Sequence, residues 1–139
     1  MFSGTTYQSI DSKGRIILPT KFREELGENF YITNGFNGCL QILSENEFNH
    51  IREQIKQLPA SKCMSLQYIM ISPAVETTVN SQGRVLIPQA LRKSARLQKE
   101  VVVIGMDTRI EVWDQAEFEQ FIEKQKAEAL NEALELLRL

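Results

Sequence analysis

The sequence predicts an α+β protein built from two tandem β-hairpin/α/β repeats that share one core, with a helical linker and a C-terminal helix. The main observation is a duplication: the segment Ile10–Pro19 (I-D-S-K-G-R-I-I-L-P) returns 69 residues later as Val79–Pro88 (V-N-S-Q-G-R-V-L-I-P). The second observation is that the same order of short strand-like and helix-like segments follows each copy. Because a unit of roughly 50 residues buries too little surface to be stable alone, we expect the repeats to share a core.

The first repeat, residues 1–58, begins with a predicted β-hairpin. Tyr7–Ile10 has the composition of a short strand, and Arg15–Leu18 is expected to be the return strand. Asp11–Gly14 suits the turn between them, because aspartate favours the first turn position and glycine the last. Pro19 then starts a short helix, where its missing N–H costs nothing.

The rest of the first repeat predicts a second hairpin and a longer helix. Phe30–Thr33 and Leu40–Leu43 are rich in β-forming residues and flank Asn34–Gly38, a strong turn signal. Ser44 and Glu47 match a capping box, so we expect a helix that starts here and continues to the next proline.

The linker is expected to cover residues 59–75. Ser61–Ser72 has helical spacing, and Pro73 ends this helix. Four apolar side chains of the segment are expected to be partly buried. They are Cys63, Leu66, Ile69 and Met70.

The second repeat, residues 76–122, is expected to follow the plan of the first. Asn80–Gly83 forms the turn, and Val101–Ile104 and Ile110–Trp113 form the later strands. Asp114 caps a last helix, and residues 123–139 form a C-terminal helical tail with amphipathic spacing.

Composition excludes several classes of protein. No run of about 18 apolar residues is present, so no membrane span is expected, and the N-terminus lacks the pattern of a secretory signal. Cys39 and Cys63 match no zinc or redox spacing and are expected to be reduced thiols in an intracellular protein.

Charge is unevenly distributed along the chain. The net charge is −2, but the segment 80–99 carries five basic residues and no acidic one, whereas 111–139 carries eight acidic and three basic residues. A basic face can therefore exist within an acidic protein, and phosphate contacts depend on such local potential. Ordinary solvated surface charge is the alternative explanation.

The duplicated turn carries the candidate functional residues. Lys13 on the turn and Arg15 just after Gly14 are expected to be held out from the sheet, where a guanidinium can pair with a phosphate or with guanine O6 and N7. The structural alternative is that Arg15 pairs with Asp11 and only stiffens the hairpin.

The second turn favours the functional explanation. Asn80 replaces the aspartate and keeps the turn, but it cannot form the ion pair, and Arg84 is present even so. We therefore expect Arg84, which follows Gly83, to have an outside partner.

The two turns, the G-R-x-x-x-P continuation and the E-V-V-V-I-G…E-V-W-D stretch of Glu100–Asp114 resemble the MraZ family of bacterial regulators. The resemblance covers essentially the whole chain, including Gly4. It implies an AbrB-like, swapped-hairpin fold of the double-split β-α-β type. The family signature is a pair of D-x-x-x-R motifs. The first stands as Asp11…Arg15, and the second departs from the signature as Asn80…Arg84.

The resemblance also implies a function. The chain is expected to be a cytoplasmic, nucleoid-associated transcription regulator that forms a ring-shaped homo-oligomer. It would bind double-stranded DNA at direct repeats in the promoter of the division and cell-wall gene cluster. The residues expected at the DNA are those of the two turn motifs: Asp11, Lys13, Gly14, Arg15, Asn80, Gly83 and Arg84.

Three other classes of function fit the sequence less well than DNA binding. An enzyme is disfavoured, since no nucleophile set, P-loop or metal-ligand cluster can be assembled, and no cofactor, metal or small-molecule substrate is expected. An AbrB-like antitoxin usually has one hairpin unit and a disordered tail, unlike the two repeats here. A ring-forming interaction protein without DNA binding is opposed only by the two arginines.

Overall fold

The computed structural model describes residues 1–138. Over this range the chain forms eight β-strands and six α-helices. The strands are β1 (Thr5–Ser9), β2 (Arg15–Ile17), β3 (Phe30–Asn34), β4 (Leu40–Ser44), β5 (Val75–Thr77), β6 (Arg84–Leu86), β7 (Glu100–Met106) and β8 (Arg109–Asp114). The helices are α1 (Thr20–Leu26), α2 (Glu45–Lys56), α3 (Ala60–Leu66), α4 (Gln89–Ser94), α5 (Gln115–Glu128) and α6 (Leu130–Leu136). The predicted α+β class is confirmed.

The main sheet is antiparallel and has the strand order β1-β7-β8-β4-β3-β5. Strands β4 and β8, one from each half of the chain, pair at its centre. The edges are exchanged: β1 pairs with β7, and β5 pairs with β3. Each half of the chain therefore completes its part of the sheet with the first strand of the other half.

A separate two-stranded ribbon joins the halves a second time. Strands β2 and β6 pair antiparallel, with Arg15 opposite Leu86 and Ile17 opposite Arg84. The intervening pair, Ile16 and Val85, faces inward and is almost completely buried. Alternation along a strand therefore leaves the two arginines on the outer face of the ribbon.

The predicted N-terminal hairpin is wrong. β1 and β2 do not pair as neighbouring strands, because β1 pairs with β7 and β2 pairs with β6. The turn between them does form, closed by the Asp11 N–H donating to the Arg15 carbonyl. Beyond it, the Gln8 side chain takes the place of a strand ladder and bonds both the N–H and the carbonyl of Ile17. The same correction applies to the second turn, whose flanking strands β5 and β6 also join different sheets.

The core is shared between the halves, as the marginal size of one repeat predicts. One continuous apolar cluster takes side chains from the ribbon, the short helices and one face of the main sheet. Its fully buried members are Leu18, Ile32, Leu40, Ile42, Val85, Ile87, Val101, Val103, Ile110 and Val112. A smaller cluster on the other face packs Trp113 against Phe118 and Phe121 of α5, which gives these aromatic residues a packing role.

Local signals predicted the β3–β4 hairpin and the helix starts well. β3 and β4 pair from Phe30 opposite Ser44 to Asn34 opposite Leu40. The Ser44 hydroxyl accepts from the Glu47 N–H, and the Asp114 carboxylate accepts from the Glu117 N–H. Both interactions satisfy N–H groups that the first turn of a helix leaves without partners.

The linker helix departs from regular α geometry. α3 passes into a π-helical turn over Gln67–Ile71 before Pro73. A π turn holds more residues than an α turn and so rotates the side chains that follow. Met70 in this turn is buried, but Ile69 is 55% exposed, which corrects the expectation that Ile69 is partly buried.

The C-terminal region consists of two consecutive helices. α5 ends at Glu128. At Ala129 the backbone leaves helical geometry with φ −124°, and α6 follows. The expected boundary at residue 122 lies inside α5. Four leucines of the tail are exposed: Leu130, Leu134, Leu136 and Leu137. Over residues 1–138, no helix has the length and apolar character needed to cross a membrane.

Candidate nucleic-acid interface

The first turn is closed by its own aspartate. The Gly14 N–H donates to the Asp11 carbonyl at 3.0 Å, and Asp11 Oδ1 accepts from the backbone N–H groups of Lys13 and Arg15 at 2.9 and 2.8 Å. Gly14 has φ +86°, a conformation that glycine adopts without strain. The motif residues therefore build the turn, and Lys13 at its tip is exposed to solvent.

The second turn has the same backbone pattern. The Gly83 N–H donates to the Asn80 carbonyl at 3.0 Å, and Asn80 Oδ1 accepts from the N–H groups of Gln82 and Arg84 at 2.9 and 3.0 Å. Because only the oxygen of an amide can accept two N–H bonds, these bonds fix the orientation of the Asn80 side chain. Asparagine thus closes the turn as well as aspartate does.

The arginines of the two turns meet on one carboxylate. Arg15 Nε lies 2.8 Å from Asp11 Oδ2, and Arg84 Nη1 lies 3.1 Å from the same oxygen. The expectation that Arg84 has no acidic partner is therefore wrong: its partner is the aspartate of the other repeat. The swapped pairing of β2 with β6 brings the two groups together across 73 residues of sequence.

The expectation that Arg15 is held out from the sheet also needs correction. Its side chain folds back to Asp11 and is 29% exposed, and that of Arg84 is 35% exposed. The structural alternative, an Arg15–Asp11 pair, is therefore present. This pair leaves hydrogen-bond donors for another partner, because each guanidinium has five N–H donors and only some of them bond to Asp11.

The Asp11 carboxylate is held in its charged form. Accepting the backbone N–H of Arg15 lowers the pKa of Asp11 most, and the Arg15 side chain and the Lys13 N–H lower it further, against the opposing effect of burial. The pKa lies well below the usual range for aspartate. The cluster of Asp11, Arg15 and Arg84 therefore carries a net charge of +1 at neutral pH.

Two further arginines pack closely against the glycines of the turns, and sequence reasoning did not assign this role to them. A Cβ on Gly14 would lie 2.7 Å from Cζ of Arg92, and a Cβ on Gly83 would lie 3.1 Å from Cζ of Arg23. Each turn is thus covered by an arginine from the other repeat. The signal was present, because Arg23 and Arg92 occupy equivalent positions of the duplication.

The exposed face of the ribbon carries two apolar side chains that sequence reasoning also missed. Ile17 is 49% exposed and Leu86 is 50% exposed, and they lie opposite Arg84 and Arg15 respectively. The ribbon therefore presents two arginines and two aliphatic side chains in a nearly two-fold arrangement. The sequence gives no signal for this face, because R-I-I-L and R-V-L-I show no alternation of polar and apolar residues.

Comparison with known protein families gives a match over nearly the whole chain. A family model described as "MraZ protein, putative antitoxin-like" matches residues 1–65 and 70–138. The chain belongs to the MraZ family. The match covers both turns, so Asp11–Arg15 and Asn80–Arg84 both lie in the MraZ region of the chain.

Curated MraZ relatives match the chain over nearly its full length. A protein from Acetivibrio thermocellus named Transcriptional regulator MraZ is 40% identical over 99% of both chains. Relatives of the same name from Caldanaerobacter subterraneus subsp. tengcongensis and Pediococcus pentosaceus are 43% and 41% identical, over 87% and 89% of this chain and 86% and 88% of their own.

Within residues 1–138, no group of three His, Cys, Asp or Glu side chains is placed to hold a metal ion.

Proposed function

We propose that this MraZ-family chain is a transcription regulator that binds double-stranded promoter DNA through the β2–β6 ribbon and its two turns. The observation that carries the proposal is the convergence of Arg15 and Arg84, one from each repeat, on the exposed face of a two-stranded ribbon. A two-stranded ribbon fits the major groove of B-DNA, where arginine reads guanine O6 and N7. The relatives' shared name, Transcriptional regulator MraZ, supports the same function.

Each motif residue has a part in this proposal. Arg15 and Arg84 contact DNA, and Lys13, exposed on the first turn, contacts the phosphate backbone. Asp11, Asn80, Gly14 and Gly83 shape the turns that hold them. The first turn makes the stronger contact, because it carries a lysine where the second has Gln82.

The proposal extends to assembly and target. One protomer offers a small contact area, so affinity depends on several protomers that engage several sites at once. We propose a ring-shaped homo-oligomer that binds direct repeats in the promoter of the division and cell-wall gene cluster, in the cytoplasm at the nucleoid. The exchanged strands β1 and β5 support an AbrB-like, swapped-hairpin fold of the double-split β-α-β type.

The antitoxin and the DNA-free interaction protein are less well supported. Although the family description includes the word antitoxin-like, both halves of this chain are folded and share one core. An interaction protein without DNA binding leaves the remaining exposed N–H donors of Arg15 and Arg84 without a partner of their own. The Asp11 carboxylate accepts from two backbone N–H groups and two guanidinium groups, and its lowered pKa makes it a poor general base.

Binding to the DNA upstream of the chain's own gene tests the proposal. We expect Arg15→Ala to abolish specific binding and Arg84→Ala to weaken it by roughly 5- to 150-fold, the range for loss of one arginine–base contact. Arg52→Ala on α2 is the control for loss of a cation elsewhere, and circular dichroism checks folding. If both Arg15→Ala and Arg84→Ala bound like the parent at moderate salt, the proposal would be wrong.

A further inference from the structure

Asp11 and Asn80 occupy equivalent positions but have different chemistry. Each closes its turn by accepting two backbone N–H groups on Oδ1. The remaining atom of Asp11, Oδ2, accepts from both Arg15 and Arg84. The remaining atom of Asn80 is an amide nitrogen, which cannot accept from an arginine. The side chain of Arg84 therefore pairs across the ribbon with the other repeat's acid.

This asymmetry sets the charge of the cluster. One carboxylate balances one of two guanidinium charges, so one positive charge remains uncompensated. An aspartate at position 80 would add a second carboxylate beside Arg84 and make the four-residue cluster neutral. Because DNA affinity arises largely from phosphate neutralisation, this single charge has a direct consequence for binding.

We propose that Asp11 positions the arginines of both repeats for DNA, and that Asn80 closes its turn without a second carboxylate so that the surplus positive charge binds a DNA phosphate. Asp11 is then a positioning residue and Asn80 sets the affinity of the second turn. This inference rests on the proposed DNA-binding function.

Asn80→Asp tests the part played by the surplus charge. Aspartate at this position should leave the turn intact, since Asp11 forms the same turn in the first repeat. We expect affinity for the DNA upstream of the gene to fall about tenfold, and the slope of log K against log salt to become shallower by about 1 per engaged protomer. Asn37→Asp, which adds the same charge on the exposed β3–β4 loop, should bind within about twofold of the parent.

Asp11→Asn tests the positioning role. It removes a negative charge from the cluster, whereas Asn80→Asp adds one. Asn80 shows that asparagine closes this turn, so the variant should fold. If Asp11 only neutralised charge, removing it would tighten binding to every DNA. We expect instead that the ratio of affinities for the upstream DNA and for a scrambled duplex of equal length falls at least about fivefold, the effect of losing one well-oriented base contact.

The double variant Asp11→Asn/Asn80→Asp separates position from charge. It keeps the net charge and moves the only carboxylate of the cluster to the other repeat. Because the ribbon is nearly two-fold symmetric, we expect this variant to regain most of the specificity that Asp11→Asn loses.

The inference is overturned if Asn80→Asp binds as tightly as the parent, if Asp11→Asn keeps its specificity ratio, or if the double variant behaves like Asp11→Asn. These outcomes differ from failure of the proposed function, which requires that Arg15→Ala and Arg84→Ala also bind like the parent. Urea unfolding of each variant accompanies the titrations. A loss of binding by a variant that is still fully folded under the titration conditions assigns the effect to the site.

Discussion

Gly14→Ala should lower the free energy of unfolding for two separate reasons. The positive φ of +86° costs an alanine about 1–2 kcal/mol. The new Cβ would also lie 2.7 Å from Cζ of Arg92, whose Nε donates to the Ile87 carbonyl at 3.0 Å. Displacing this guanidinium weakens a charge-assisted hydrogen bond, at about 1–2 kcal/mol for a partly exposed group. The expected total is about 2–4 kcal/mol.

Urea unfolding followed by circular dichroism measures this cost, and two comparisons isolate its causes. Gly83→Ala places a Cβ in the equivalent turn but 3.1 Å from Cζ of Arg23, so it should cost less than Gly14→Ala. In an Arg92→Ala background, Gly14→Ala should retain only the backbone cost. The reasoning is refuted if Gly14→Ala costs no more than Gly83→Ala, or if its cost is the same with and without Arg92.

Three further predictions concern the salt dependence of DNA binding, the unfolding of the shared core and the pH dependence of stability. DNA binding should weaken steeply between about 50 and 200 mM salt in a fluorescence titration, because several protomers contribute phosphate contacts, and a nearly flat response would favour an interaction protein. Ile87→Ala, at a fully buried position, should cost about 2–5 kcal/mol and leave one cooperative unfolding transition, whereas two transitions would show that the repeats have separate cores. The folded-state pKa of Asp11 is lowered from 3.8, so its contribution is complete above that pH and declines below it. The stability difference between the parent and Asp11→Asn should therefore be constant from pH 5 to 7 and shrink below pH 3.8, and a difference that grew with acid would contradict this sign.

Local features of the fold could be predicted from the sequence. The Asn34–Gly38 turn specifies a hairpin through a few adjacent residues, and β3 and β4 pair as expected. Ser44 and Asp114 cap helices through N–H groups three positions away. In each case the interacting groups lie within a few residues, so the sequence pattern contains all the required information.

Strand exchange could not be predicted in the same way. The composition of β1 and β2 and the turn between them predict that both are strands, but they do not show which strands they pair with. The loop between them is short enough for a hairpin, yet both strands find partners in the second half of the chain. The π-helical turn over Gln67–Ile71 has no sequence signature either, and its Met70 carbonyl accepts from the Thr33 hydroxyl, a contact between residues far apart in the sequence.

Part of the candidate site could be predicted from the sequence and part could not. The duplicated motif identified Arg15 and Arg84 correctly as a related pair, because the repeat places them at equivalent positions. It did not show that they share Asp11, since this contact joins residues 73 apart and exists only because β2 pairs with β6. Sequence predicted two separate turns, and the structure shows one composite surface.

A footprint of the purified protein on the DNA upstream of its own gene tests the central claim most directly. If the ribbon binds direct repeats through an assembly of protomers, protection should appear as several evenly spaced segments. Arg15→Ala should lose them while keeping its fold. Absence of protection with the folded parent protein, or an unchanged footprint with both Arg15→Ala and Arg84→Ala, would contradict the assignment of the ribbon as the DNA-binding surface.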